Sequence, residues 1–161
     1  MDYLHLKFLH ILGVVMFLGN IATGVFWKEH ADRTRDARII AHALEGIIRS
    51  DRLFTIPGVI LITAAGIASA LAGHIPLLRT GWVFWGIVMF SISGVVFGVW
   101  LAPLQKRMLK VMRAGAESGT PDWAAYHAMS RAWMVWGAVA LLLPIAVLAL
   151  MVLKPAGMPG L

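Results

Sequence analysis

The chain has 161 residues, of which 60% are hydrophobic and 14% charged, against roughly 45–50% and about 25% in soluble domains. It contains no cysteine, which excludes disulfides, thiolate catalysis, zinc knuckles and iron–sulfur clusters. The net charge of +6 and mean hydropathy of +0.80 are typical of a membrane protein with basic loops beside anionic lipid, rather than of a nucleic-acid-binding protein.

Four apolar stretches predict transmembrane helices. A helix needs about 20 residues to cross a hydrocarbon core about 30 Å thick. The stretches, which contain no Asp, Glu, Lys or Arg, are 8–27, 53–72, 82–104 and 132–153. We therefore predict an all-α integral membrane protein, a four-helix antiparallel bundle over residues 1–154 followed by a flexible tail at 155–161.

The first of these stretches carries His10, the one histidine within an apolar segment. At about 100° per residue, a helix places Gly13, Phe17, Asn20 and Gly24 on the same side as His10. Ionisable groups inside a membrane are rare and usually face the bundle interior. His10 is therefore the first candidate for a functional residue.

Basic residues are spread unevenly over the connections. The first connection holds six and the third holds five, whereas three lie elsewhere in the chain. Short loops rich in Lys and Arg remain in the cytoplasm, so we predict that both termini lie outside. The predicted location is the inner, or plasma, membrane of a bacterium, with the lipid bilayer as the immediate partner.

Residues 36–51 of the first connection, DARIIAHALEGIIRSD, have the pattern of an amphipathic helix. We expect a cytoplasmic helix between spans one and two, which either lies on the inner leaflet or extends the second span. The third span is expected to continue past Leu104. Residues 115–121, GAESGTP, then predict the turn before the fourth span.

Small residues give every span a face for close packing, on which helix association in lipid depends. The second span has Thr55, Gly58, Ile62, Gly66, Ser69 and Gly73, the third has Ser91, Gly94 and Gly98, and the fourth has Gly137, Ala140 and Pro144. Such faces either pack helices or make room for a flat cofactor. The Gly94-x-x-x-Gly98 pair either packs within the chain or mediates a homodimer.

The histidines are the candidate ligands, because imidazole binds haem iron and other metals without a cysteine partner. A porphyrin between the first two spans would take His10 alone, or His10 together with His74 just beyond the second span. Gly13, Gly66 and Ser69 would then line the pocket. Alternatively, the His10 ring bonds to a hydroxyl or carbonyl group and holds two helices in register.

The other polar and sulfur-containing residues point to less specific roles. His30, His42 and His127 are expected to be solvated, since no metal-type spacing links them. The spans contain no carboxylate, which argues against a proton-coupled transporter. Methionines such as Met151 are scattered in depth and are interpreted as gap-fillers.

Four segments carry a resemblance to a known family: LKFLHILGVVMFLGNIATGVFWK, ADRTRDARIIAHA, RLFTIPGVILITAAGI and LAPLQKRM. They resemble the bacterial integral membrane family called domain of unknown function 2269, over nearly the whole chain. More distantly, LKFLHI and the late VLKP are similar to HemJ-type protoporphyrinogen oxidases, and the layout is similar to CopD-like membrane domains.

The HemJ resemblance implies a haem linked to His10, as an axial ligand of the iron. HemJ-type enzymes also carry a lysine in a His-Ala-Lys-like motif of the third span, and residues 82–104 here contain neither lysine nor histidine. The resemblance therefore implies a related bundle with haem b, and does not extend to protoporphyrinogen oxidation.

Three functional hypotheses follow. The first is a small haem b protein for electron transfer, redox sensing or haem handling, with a membrane redox partner. The second is a non-catalytic module that binds a partner protein or lipid through the basic stretch 33–52. The third is a metal or small-solute carrier with His5, His10 and His74 as an outer site.

Overall fold

The computed structural model describes residues 2–161, and this part of the chain is helical apart from its turns and tail. The α-helices are α1 (Tyr3–Thr34), α2 (Ala37–Ser50), α3 (Ile56–Ala72), α4 (Gly81–Val96), α5 (Ala102–Ser118) and α6 (Trp123–Leu153). Helices α2 and α3 are continuous through a π-helical turn, as are α4 and α5. The predicted all-α fold with four long helices, each apolar enough to cross a membrane, is confirmed.

Both π-helical turns, Asp51–Thr55 and Phe97–Leu101, come just before a proline. Pro57 and Pro103 cannot donate an N–H, and each ring crowds the carbonyl four residues earlier. Those carbonyls belong to residues within the π-helical turns, where the wider backbone relieves the crowding. The two long helices therefore pass through their prolines without breaking.

Aspartates begin three of the helices. The carboxylates of Asp2, Asp36 and Asp122 accept backbone N–H groups of the first turns of α1, α2 and α6. Helix α5 ends at Ser118, and the chain turns at Gly119, which has a φ of 74°. The prediction of a turn over 115–121 was wrong at its start, because α5 continues to Ser118.

Different helices pack on one another at the two ends of the bundle. At the end that holds the start of α1 and the end of α6, named the cavity end for the space between its helix pairs, α1 packs on α3 and α4 packs on α6. At the other end, named the polar end for the exposed charged residues of α2 and α5, α2 packs on α1 and α5, and α5 packs on α6. A hydrophobic core at the polar end contains Ile40, Leu44, Met108, Met112 and Tyr126.

Helix α2 extends the second long helix rather than lying apart from it. Its apolar side (Ala37, Ile40, Ala41, Leu44 and Ile47) is buried against the neighbouring helices. That side is therefore covered by protein, and is not available to a lipid leaflet. Of the two interpretations of residues 36–51, the structure has the helical extension.

The predicted stripe of α1 meets the predicted small-residue face of α3. A Cβ added at Gly13 would lie 2.9 Å from the backbone N of Ile62, and one at Gly58 would lie 3.3 Å from the backbone O of Gly13. Backbones this close leave no room for side chains at either position. The packing interpretation is confirmed at Gly13 and Gly58.

The prediction of close packing within the chain was wrong for two glycines of the third span. Gly94 and Gly98 are exposed, and an added Cβ at either would meet nothing within 4 Å. Instead, α4 is joined to α6 through Ser93, whose Oγ donates to the carbonyl of Ala140 at 2.7 Å. A homodimer through the Gly94–Gly98 pair stays a prediction.

The C-terminal tail returns to the turn between α3 and α4. The N–H of Leu161 donates to the carbonyl of Leu78 at 2.8 Å, and Nε1 of Trp85 donates to the carbonyl of Pro159 at 3.1 Å. These bonds hold the tail beside the cavity end of the bundle. Its predicted flexibility is a separate property and stays a prediction.

Candidate functional site

A cavity of about 540 Å³ lies between the α1–α3 pair and the α4–α6 pair at the cavity end. The pairs meet below it at Phe17 and Phe90, whose ring centres are 5.5 Å apart. Its walls are mainly apolar, and its volume falls in the range of roughly 300–1,000 Å³ that is usual for small-molecule sites. The cavity is thus large enough for a cofactor.

His10 lies in the wall of this cavity and is half-buried. Its Nδ1 is 2.9 Å from the backbone carbonyl oxygen of Ile62 in α3. Because a carbonyl oxygen can only accept, Nδ1 is the donor, and in the neutral ring Nε2 keeps its lone pair. A bond from one ring nitrogen to a carbonyl is the usual means of orienting a histidine whose other nitrogen binds a metal.

Gly66 makes the His10 bond sterically possible. A Cβ at position 66 would lie 2.8 Å from Nδ1 of His10 and 3.1 Å from its Cε1. Gly66 follows Ile62 by one helical turn, so its missing side chain opens the path to the Ile62 carbonyl. Gly66 thus lies against the His10 ring, and the interhelical bond of the alternative interpretation is present.

Met151 of α6 lines the same cavity from the opposite helix pair. It is also seated beside a glycine, since a Cβ at Gly86 would lie 2.5 Å from its Cε. Thioether sulfur is a known axial partner of histidine on haem iron. Sequence reasoning interpreted Met151 as a gap-filler, because nothing in its spacing relates it to His10.

The remaining predicted pocket residues are divided between the cavity and other places. Ser69 lines the cavity and donates its hydroxyl to the carbonyl of Gly66 at 3.0 Å. Gly13 is taken up by the contact between α1 and α3. His74 is exposed in the turn after α3 with φ of 53° and does not line the cavity, so the structure does not bring it to His10.

A metal site built from several histidines is not found in residues 2–161. That part of the chain contains no group of three or more His, Asp or Glu side chains close enough to hold an ion. Nδ1 of His5 is instead 2.6 Å from the carboxylate of Asp2. The proposed outer site of His5, His10 and His74 is therefore not assembled.

A buried carboxylate was missed by sequence reasoning. Asp51, at the π-helical turn below the cavity, is 8% exposed. It accepts hydrogen bonds from Asn20 Nδ2 at 3.1 Å, Thr55 Oγ1 at 2.9 Å and Gln105 Nε2 at 3.1 Å. It thereby joins the π-helical turn to α1 and α5. The signals were Asn20 on the His10 stripe and the Asp51–Thr55 spacing of one helical turn.

A buried lysine was also missed. Lys28 is 2% exposed, and its Nζ donates to Asp32 Oδ2 and to Ser130 Oγ, each at 2.5 Å. The hydroxyl of Tyr126 donates to the other oxygen of Asp32, and the rings of Tyr126 and Trp133 lie 5.7 and 5.6 Å from Nζ. The Lys28–Asp32 spacing was the available signal, but both residues had been placed in the first connection, beyond the end of the first span.

Comparison with known proteins identifies one family. The family model described as predicted integral membrane protein (DUF2269) matches residues 4–155. No curated protein and no solved structure matches the chain. The similarity to HemJ-type and CopD-like proteins stays a prediction. Because the family match covers nearly the whole chain, this protein belongs to the DUF2269 family of predicted integral membrane proteins.

Proposed function

We propose that this protein binds haem b in the cavity through His10 and serves in electron transfer, redox sensing or haem handling. The observation that carries the proposal is the bond from Nδ1 of His10 to the Ile62 carbonyl, at 2.9 Å, in the wall of an apolar cavity. This bond holds the ring in place and leaves Nε2 as the ligating atom.

The residues of the cavity fit a porphyrin in three respects. The apolar walls suit a flat hydrophobic ring. His10 supplies an imidazole from one helix pair, and Met151 supplies a thioether from the other. Iron bound there would supply one-electron chemistry, while the protein fixes the ligand, excludes water from the ring faces and holds its plane between the helix pairs.

The charge distribution supports an orientation with the polar end in the cytoplasm. Exposed basic residues of α2 and α5 and the turns beside them (Arg35, Arg38, Arg49, Arg52, Lys106, Arg107, Lys110 and Arg113) cluster at that end. Under the positive-inside rule, both termini and the mouth of the cavity then lie on the outer side of a bacterial plasma membrane. A redox partner or a source of haem would approach from that side.

The test is an absorption spectrum of detergent-purified protein mixed with hemin. We expect the wild type to give a shifted, saturable Soret band, and His10→Ala to lose it. His10→Gln keeps a side-chain donor for the Ile62 carbonyl but has no imidazole, so it separates ligation from helix packing. His74→Ala, a change of an exposed histidine outside the cavity, is the matched control and should resemble the wild type.

Colourless protein that takes up no hemin under these conditions would refute the proposal. The alternative, a non-catalytic module, would then be favoured, and its binding surface would be the exposed arginines of the basic stretch 33–52. That alternative predicts binding that is insensitive to His10 and altered by charge reversal at Arg35, Arg38 and Arg49.

A further inference from the structure

The mouth of the cavity carries two ammonium groups. Lys7 of α1 and Lys154 at the end of α6 both line the cavity, one from each helix pair. Nζ of Lys7 lies 5.8 Å from the centre of the Tyr3 ring, and Nζ of Lys154 lies 5.3 Å from the Trp82 ring. Within residues 2–161, neither ammonium is paired with a carboxylate.

Each lysine is close in the sequence to a candidate iron ligand in the same cavity wall. Lys7 precedes His10 by three residues, so both lie on the same side of α1, separated by a rise of about 4.5 Å along the axis. Lys154 follows Met151 by three residues and lies one residue beyond the end of α6. A ring bound between His10 and Met151 would therefore have its rim at the level of the two lysines.

We infer, resting on the function proposed above, that Lys7 and Lys154 bind the carboxylates of a flat dicarboxylate ligand and so fix which edge of the porphyrin faces the mouth. Ionised carboxylates are costly to bury in an apolar site. A ring that carries two of them on one edge is stable in this cavity when that edge lies beside the ammonium groups. The ligand class is thus a porphyrin with free carboxylates rather than a neutral porphyrin.

The backbone at Lys154 provides a variant that separates binding from folding. Lys154 has φ of 44° and ψ of 58°, a left-handed conformation that glycine adopts without strain. Lys154→Gly should therefore leave the thermal midpoint unchanged or raise it, while it removes the ammonium. Lys7 is exposed near the start of α1, where Lys7→Gln removes the charge from a helical position that tolerates glutamine.

The experiment compares metal-free protoporphyrin IX with its dimethyl ester, which has the same ring but no carboxylate. Binding is followed by porphyrin fluorescence with protein in nanodiscs of phosphatidylcholine, so that anionic lipid does not occupy the lysines. We expect the wild type to bind the free acid more tightly than the ester. Loss of either lysine should weaken binding of the acid by up to about fivefold, and loss of both should weaken it by up to about 25-fold. Ester binding should be unchanged, and added salt should reduce the preference.

The matched control is Lys106→Gln with Lys110→Gln, which removes two exposed charges of α5 at the other end and should keep the preference. Equal wild-type affinity for acid and ester, a preference that survives in Lys7→Gln/Lys154→Gly, or no binding of either porphyrin overturns the inference. Because these porphyrins lack iron, the result does not depend on ligation by His10. A preference for the acid without a His10-dependent hemin band would keep the inference and refute haem ligation.

Discussion

Replacing Lys28 by methionine tests whether the buried ion pair is as isolated from water as its surroundings indicate. Methionine keeps most of the stem, so the packing cost should stay below about 1.5 kcal/mol. The change removes two hydrogen bonds from a charged donor, to Asp32 and Ser130, and breaking a buried pair costs about 3–5 kcal/mol. Because the Asp32 side chain is 26% exposed, water can solvate its carboxylate in the variant and reduce this cost. We expect a loss of about 3 kcal/mol in the free energy of unfolding.

The partner variant turns this into a double-mutant cycle. Asp32→Asn keeps an acceptor for the Tyr126 hydroxyl but removes the charge that Lys28 neutralises. Combined with Lys28→Met, it leaves no lone buried charge, so the double variant should be at least about 1.5 kcal/mol more stable than the sum of the two losses predicts.

The assay is equilibrium unfolding in mixed micelles, followed by circular dichroism. Lys106→Met, at an exposed lysine of α5, is the control and should change stability by no more than about 0.5 kcal/mol. A loss below about 1 kcal/mol for Lys28→Met, or additivity within about 0.5 kcal/mol, would mean that the pair is solvated and that its burial is not the source of its strength.

Two further predictions concern the contacts of α1. Gly13→Ala should destabilise the protein by about 1–3 kcal/mol, since the new Cβ would lie 2.9 Å from the backbone N of Ile62. The control is Gly19→Ala, whose Cβ would have nothing within 4 Å and which should be neutral or stabilising by up to about 1 kcal/mol in the same unfolding assay. Equal effects of the two substitutions would contradict the close contact at Gly13. Asp51→Leu should lower the thermal midpoint more than Asp51→Asn, because leucine leaves two buried donors, Thr55 Oγ1 and Gln105 Nε2, without an acceptor. A lower midpoint for Asp51→Asn than for Asp51→Leu would contradict the prediction.

The number of long helices and the continuation of the third span past Leu104 were readable from the sequence, but the burial of charged residues within the long helices was not. Hydropathy ends a span at the first charge, so Lys28 and Asp51 were placed in connections. The structure buries both inside continuous helices, because each charge has partners that are distant in the sequence. Ser130 is 102 residues from Lys28, and Gln105 is 54 from Asp51. A single sequence contains no signal for such pairs.

Only those residues of the candidate site that share one helix face could be predicted from the sequence. The stripe of α1 correctly placed His10 and Gly13 toward α3, since helical periodicity alone decides which residues share a side. It could not show that Met151 and Lys154 face the same cavity from α6, because this depends on how the two helix pairs diverge. For the same reason, Gly94 and Gly13 look equivalent in the sequence, although only Gly13 has a helix against it.

The division of the bundle into two ends explains how a cavity can exist in so small a protein. The largest fully buried side chains, Tyr126, Lys28, Ile40, Leu44, Met108 and Met112, all lie at the polar end. There the core and the Lys28 and Asp51 hydrogen bonds fix the arrangement of the helices. At the cavity end, the members of each pair are held by contacts such as Gly13–Ile62 and Ser93–Ala140. The two pairs can therefore stand apart around an underpacked space, because the bonds that define the fold lie elsewhere.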